Sequence, residues 1–445
     1  MDQNTLLKAK ELIELNDGNI CNRCLGRKFS NIIESSKADG NEEKGKLIRK
    51  ELSLELDNQG KKEKEKEKGK EKENKCKTCG DILFKIDENI ENGNILERIK
   101  GKINYLNLEF DTFLIGSKIP ETILNRDEWL DEVLDIEPEN IKKEINREIG
   151  KLIEKELDKE ADFDDPNIVI MVDLRRILDD SYENDPEKAA RNINVRIQIN
   201  PIFIEGRYKK LVRGIPQTKW PCRKCKGRGC EECNGTGKMY QESVEELISE
   251  IVLKETRGYE AKFHGAGRED IDVRMLGTGR PFVLEIKEPK IRKLDIEKIA
   301  KEVNEHSKGK TEYTDLKYTQ KKRKAEIKVS SPDTFKVYRA LVKCDNEIRD
   351  EQLAKIKEKL ENTIIDQKTP QRVAHRRADK VRKREVRELS TKILSPNTFE
   401  MTVKTQGGLY IKELISSDDN RTSPSVSEIL GSKAICKELD VIEVG

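Results

Sequence analysis

The sequence predicts an α+β protein of two to four domains, on three observations. Its 445 residues exceed what a single hydrophobic core usually organises. Apolar residues recur at helical spacing in some stretches and alternate strictly in others. The longest apolar run, Ile168–Val172, has the length of a core strand, and nothing approaches the ~18 residues a membrane span requires. The N-terminus MDQNTLLKAK has no signal-peptide apolar region. A soluble, cytoplasmic, multidomain protein without a membrane partner is therefore expected. Charged residues make up 39% of the chain, but 88 basic side chains nearly cancel 86 acidic ones, so the +2 net charge names no partner. Three histidines leave little room for His-rich metal sites or proton relays.

Taken in order, Leu6, Ala9, Leu12 and Ile13 predict a helix near the start. Eight of the ten cysteines then fall into C-x-x-C pairs: Cys21/Cys24, Cys76/Cys79, Cys222/Cys225 and Cys230/Cys233. A tetrahedral Zn²⁺ site takes four thiolates, which two such knuckles supply. The first two pairs are expected to form one structural site. The Lys/Glu stretch Lys61–Lys75, which has no apolar residue and cannot bury anything, should loop out between them. Cys222, Cys225, Cys230 and Cys233 lie among glycines that permit tight turns, and a second structural site on a hairpin is expected there. The spacing resembles DnaJ-type cysteine repeats and zinc ribbons. A redox reading fits poorly, because it expects one pair at a helix start. Cys344 and Cys436 read as buried apolar residues.

Ile141, Ile145, Ile149, Leu152 and Ile153 predict an amphipathic helix, while Ile168–Val172 and the alternation Ile193, Val195, Ile197, Ile199 predict two strands. Residues 80 to 212 thus read as one compact α+β unit. Arg207–Arg228 carries nine Lys or Arg with no acid, an anion-binding face in a chain otherwise balanced. Ser243-Val-Glu-Glu246 reads as a capping box opening a helix. Strands are predicted at 282–287 and 335–342. Residues 368–387 form a second basic segment, with nine basic and two acidic side chains. Gly407-Gly408 reads as the turn of a hairpin joining Phe399–Val403 to Leu409–Lys412.

The chemistry points to Gly267-Arg268-Glu269-Asp270, placed by this reading in a glycine-rich loop between a helix and a strand. A carboxylate kept charged by a neighbouring cation at a cleft can act as a nucleophile, although an Arg–Asp pair also serves simply to pin a turn.

The stretch from His264 to Lys287, HGAGREDIDVRMLGTGRPFVLEIK, closely resembles the archaeal tRNA pseudouridine synthases that modify uridines 54 and 55 of the T-loop. So do Arg213-Gly-Ile-Pro-Gln-Thr-Lys-Trp-Pro-Cys, Tyr338-Arg-Ala-Leu-Val, Thr369-Pro-Gln-Arg-Val-Ala-His-Arg-Arg-Ala-Asp and Gly407-Gly-Leu-Tyr-Ile-Lys-Glu-Leu-Ile, and the resemblance covers nearly the whole chain. It implies a zinc-binding module at 1–80 with a Lys/Glu insertion near 57–75, and a THUMP-like RNA-binding domain at 81–212. A pseudouridine synthase domain with a mixed, largely antiparallel sheet is implied at 213–445, carrying the Cys-rich hairpin at 222–233. By the resemblance Asp270 is the nucleophile, with Asp272 the competing choice. If the segment is extended, the two carboxylates face opposite ways. The resemblance makes Tyr338 the base-stacking aromatic, Tyr410 a second substrate contact, Lys412 the cation paired with the aspartate, and Arg268 a holder of the extruded nucleotide. It implies a tRNA partner and no catalytic cofactor. Two rivals are another THUMP-containing tRNA enzyme, for which no SAM or nucleotide-binding loop is visible, and a non-catalytic zinc-ribbon RNA binder. His264, His306 and His375 are given no catalytic role; His375, flanked by basic residues, reads as a phosphate contact.

Overall fold

The computed structural model describes residues 1–33, 40–58, 75–178, 192–329 and 334–445. Most of the Lys/Glu stretch, 61–74, lies outside them. The chain divides into two compact units, Met1–Asn200 and Pro201–Gly445. Among the described residues no helix is long and apolar enough to cross a membrane.

The first unit packs seven described helices around a four-stranded sheet. Strands β1 (Thr112–Lys118), β2 (Glu160–Ala161), β3 (Ile168–Asp173) and β4 (Asn194–Ile199) run in the order β2-β1-β3-β4. The first three are parallel and β4 is antiparallel to β3. The helix Ile141–Leu157 buries Ile141, Ile145, Ile149 and Ile153, one residue per turn, which is the stripe its spacing predicts. Helices Asn22–Lys28 and Gly40–Asn58 cross at two glycines, and a Cβ on Gly26 or Gly45 would stand 1.9 Å from a carbonyl oxygen of the other helix. A single core runs from Ala9 to Val195 and includes Cys24, Cys76 and Cys79. The segment 1–80 is therefore not a separate module, because it shares this core with residues 81–195.

The second unit is built on a ten-stranded sheet. Its strands are β5 (Ile202–Lys210), β6 (Glu260–Gly265), β7 (Val273–Lys287), β8 (Thr311–Thr319), β9 (Phe335–Cys344), β10 (Thr363–Lys368), β11 (Val381–Ser395), β12 (Thr398–Gln406), β13 (Thr422–Ser423) and β14 (Ala434–Val444). The order is β13-β10-β11-β12-β9-β14-β7-β5-β8, with β6 also on β7. Every pairing is antiparallel except β14 with β7, so the sheet is mixed and largely antiparallel, as expected. Helices Val244–Thr256, Ile296–His306 and Asp350–Leu360 contribute apolar faces to its core. Ser243 caps the first of these, accepting from the Glu246 amide at 3.2 Å.

Three expectations are corrected here. The boundary at 212 moves to between Asn200 and Pro201, because β5 hydrogen-bonds to both β7 and β8 and is an interior strand of the second sheet. The Gly267–Asp270 loop joins strand β6 to strand β7, not a helix to a strand. The Gly407-Gly408 turn leads from β12 into a helix, Ile411–Ser416, and not into a hairpin. Here Ile411, Leu414 and Ile415 bury at helical spacing, while the Gln367 amide takes up the Tyr410 backbone on both sides, at 2.8 and 3.0 Å.

Candidate active site

The β6–β7 loop is built on a buried polar lattice. Gly267 takes the left-handed conformation at φ +83°, and Gly265 lies so close to Gln217 that a Cβ would meet its Nε2 at 2.6 Å. Below the loop, the Tyr208 hydroxyl on β5 donates to Glu269 (2.9 and 3.0 Å) and accepts from Gln217 Nε2 at 2.7 Å. Gln217 also donates to the Gly267 carbonyl at 3.0 Å. From β7, Arg280 donates to Glu269 at 3.0 Å and to the Ala266 carbonyl at 2.9 Å. Lys210 Nζ reaches three carbonyls, of Ile215, Asp270 and Ile271, at 3.0 to 3.2 Å. Glu269, Arg280, Lys210 and Tyr208 are all buried. Burial pushes the Tyr208 hydroxyl well above its ordinary pKa, and the Glu269 charge adds to this, so the phenol keeps the proton it donates. Burial also lowers the Lys210 ammonium. Desolvation would lower Arg280 too, but the Glu269 carboxylate, with Tyr208 and Tyr338 adding to it, outweighs it and the guanidinium stays charged. Basic residues of the 207–228 segment thus serve the protein's own structure: Lys210 braces the loop, Arg207 donates to the carbonyls of Thr278, Gly279 and Val444, and the half-buried Arg213 donates to the carbonyls of Asp272 and Leu439 at 2.9 and 2.7 Å.

With Glu269 turned inward, the next residue, Asp270, opens onto a cleft of about 500 Å³. The lining carries Arg268, Arg280, Arg372, Arg377, Arg382 and Arg384 with Lys336 and Lys412, against only Glu269 and Asp270. Tyr338 on β9 and Tyr410 at the start of helix Ile411–Ser416 supply its aromatic surface. The predicted residues Arg268, Asp270, Tyr338, Tyr410 and Lys412 are thus brought together on one cleft. Burial raises the Tyr338 hydroxyl to about 12. Arg268 is exposed, with its guanidinium 5.8 Å from the Trp220 ring centre.

The cation nearest the aspartate is one the sequence reading missed. Arg372, on the short 3₁₀ turn Gln371–Arg376, donates through Nη1 to Asp270 Oδ2 at 2.7 Å. Its other nitrogens grip the buried Glu413 at 2.6 and 3.3 Å. Lys412 lies 3.6 Å from Asp270 but pairs more closely with Asp272, at 2.7 and 2.8 Å. The two aspartates therefore do not face opposite ways, because the backbone turns at Ile271–Asp272 and is not extended there. Burial would raise the Asp272 carboxyl, but the hydrogen bond and charge of Lys412, with Arg372 adding to them, together outweigh it and hold the group below its usual range. His264 pairs with Glu285 at 2.9 Å, outside this set. Cys344 is buried and Cys436 half-buried.

Each cysteine tetrad gathers its four sulfurs within 4.8 Å of one another, and no disulfide joins them. Zn–S bonds of ~2.3 Å in a tetrahedron place sulfurs roughly 3.8 Å apart. Cys21 and Cys79 are separated by 4.0 Å, Cys222 and Cys230 by 3.9 Å, and Cys225 and Cys233 by 3.8 Å. Backbone amides also point at the sulfurs, as knuckle geometry requires: Cys21 N to Cys76 at 3.3 Å, Gly237 N to Cys233 at 3.2 Å. Both tetrads fit a metal ion held by four thiolates.

Residues 203–445 match the family model described as Pus10, C-terminal, and residues 96–173 match that of the Pus10 THUMP domain, archaeal. A THUMP domain followed by a pseudouridine-synthase-type catalytic domain is the class that fold and site define. The tRNA pseudouridine synthase Pus10 of Methanothermobacter marburgensis is 48% identical over 434 residues, covering 98% of this chain and 97% of the relative. That of Methanocaldococcus jannaschii is 46% identical over 443 residues, covering 96% and 92%. The chain belongs to the Pus10 family.

Proposed function

We propose that this chain isomerises uridine to pseudouridine in the T-loop of tRNA, at position 54, 55 or both, with Asp270 as the reacting carboxylate. tRNA pseudouridylation is the activity for which its relatives are named, over nearly their whole length. The observation that carries the residue assignment is the division of labour in the β6–β7 loop: Glu269 is consumed by internal hydrogen bonds, whereas Asp270 faces a cation-lined cleft.

A uridine inside a folded loop is inaccessible until it is turned out, at a cost of a few kcal/mol. Phosphate contacts from Arg377, Arg382 and Arg384, on the segment 368–387, offset that cost. Tyr338 and Tyr410 offer faces for the extruded base, and Arg268, which also lines the cleft, holds the nucleotide. Arg372 occupies Asp270 Oδ2, with Lys412 nearby, and leaves the other oxygen for the sugar carbon C1′. C1′ bonds to that oxygen as its bond to N1 breaks, the uracil turns, and C5 displaces the carboxylate from C1′, losing its proton while N1 takes one up. This isomerisation is redox-neutral and transfers no group between molecules, so it calls for no catalytic cofactor. Cys21, Cys24, Cys76 and Cys79 would hold one Zn²⁺, and Cys222, Cys225, Cys230 and Cys233 a second. Both are structural, because four thiolates leave no position for water.

Nucleoside mapping of an unmodified tRNA transcript after incubation with the purified protein tests the position. Pseudouridine at 54 or 55 is expected, and modification confined to another stem or loop overturns the T-loop assignment. Elemental analysis is expected to give two zinc atoms per chain, falling to one in Cys222→Ser.

A further inference from the structure

Besides Arg280, which is bound to Glu269, the cleft holds a cation that the mechanism above does not use. Lys336, on β9, is 7% exposed, lines the cleft, and its ammonium has no hydrogen-bond or ion-pair partner among the described residues. Its surroundings do not neutralise it. The one buried carboxylate nearby, Glu269, already accepts from Arg280 and Tyr208 and has Lys210 Nζ at 4.0 Å. Across the strand pair from Lys336, on the same face of the sheet, stands Thr405, whose Oγ1 is buried and likewise without a partner. Two residues along β9 and on that same face is Tyr338. A buried unpaired charge beside an unsatisfied hydroxyl is expensive for the folded protein, and such groups are retained where a ligand completes them.

We propose that Lys336 is a direct substrate contact, donating from the cleft floor to a carbonyl oxygen of the everted uracil and stabilising the negative charge the base acquires when its glycosidic bond breaks. This inference rests on the pseudouridine reading and gives it a residue for the leaving base. When C1′–N1 breaks, the electron pair departs with the ring and spreads over N1, O2 and O4. The ring then bonds to C1′ through C5, the C5 hydrogen leaves as a proton, and N1 takes one up. Lys336 neither gains nor loses a proton in this sequence; its charge favours the step in which the base is anionic, where a preorganised cation in a water-poor site has most effect. Desolvation, with Arg280 adding to it and Glu269 opposing it, brings the ammonium down to about 8, so it remains mostly charged at neutral pH. Burial beside Tyr338, where Arg377, Arg382 and Arg384 are more exposed, selects the base rather than a phosphate as the partner.

The test compares wild type, Lys336→Met and Lys336→Arg in single-turnover reactions at saturating tRNA, alongside tRNA affinity and thermal melting. Lys336→Met is expected to lose about 10²-fold in rate with unchanged tRNA affinity and no fall in melting temperature, and Lys336→Arg to recover part of the rate. With 2-thio- or 4-thiouridine at the target position, one of the two substitutions should slow wild type but not Lys336→Met further. A wild-type rate in Lys336→Met overturns the proposal, as do equal thio effects in both proteins. Loss of affinity with a shallower salt dependence would also overturn it, since that marks a phosphate contact. If wild type forms no pseudouridine in any tRNA, the reading beneath the proposal fails first, and the two failures are distinguishable.

Discussion

Glu269 and Asp270 are neighbours in sequence, yet the regions below and in front of their loop treat a carboxylate in opposite ways. Below, Glu269 takes hydrogen bonds from Tyr208 and Arg280, Lys210 stands near, and Gln217 closes the circuit back to the Gly267 carbonyl. In front, Asp270 has one close partner, Arg372, and its surroundings are open and cationic. The saturated region is what holds the sparse one still. A reacting group must be fixed in position while keeping an atom uncommitted, and a strand-to-strand loop anchored from beneath satisfies both.

The sharpest way to break this contrast is to empty the lower side. Glu269→Ala leaves Arg280 buried without its counter-ion, and a loss of about 3–5 kcal/mol is expected in denaturant unfolding. Next comes the frame around the aspartate. Arg372→Ala is expected to lower kcat about 10²-fold while KM for tRNA changes little, with partial recovery in Arg372→Lys, because one ammonium cannot bridge Asp270 and Glu413 as the guanidinium does. The smallest effect concerns Lys336 and the charged groups facing it, Arg280 and Glu269, with Tyr338 alongside. Its folded-state pKa of about 8 lies below the ordinary lysine value, so between the two the unfolded chain binds more protons and stability rises with pH. Lys336→Met should flatten that rise, which melting between pH 7.5 and 9.5 would read out.

Much of the second unit was legible because its strands alternate and its motifs are contiguous. The His264–Lys287 stretch, with its Gly-Arg-Glu-Asp, singled out Asp270 as the candidate, and the strand patterns at 282–287 and 335–342 fall within β7 and β9. What escaped was pairing over distance. Arg372 is 102 residues from Asp270 in sequence and looked like one more member of a basic segment. Lys210 likewise read as part of an anion-binding face, although it is buried and bonded to carbonyls. The allegiance of β5 could not be seen either, because its partners β7 and β8 lie far along the chain. Gly407-Gly408 signalled a turn, but whether helix or strand follows depends on Gln367 gripping the Tyr410 backbone from another strand. The cysteine tetrads were legible from the paired C-x-x-C spacing, adjacent in the second tetrad and split by the Lys/Glu stretch in the first, since chemistry narrows what two such knuckles can do.

The most direct measurement is single-turnover pseudouridine formation by Asp270→Ala on an unmodified tRNA transcript, with melting temperature and tRNA affinity measured on the same preparation. A folded protein that binds tRNA as wild type does and yields no pseudouridine is the expected result. Product formed at the wild-type rate would contradict the assignment of Asp270 as the reacting carboxylate.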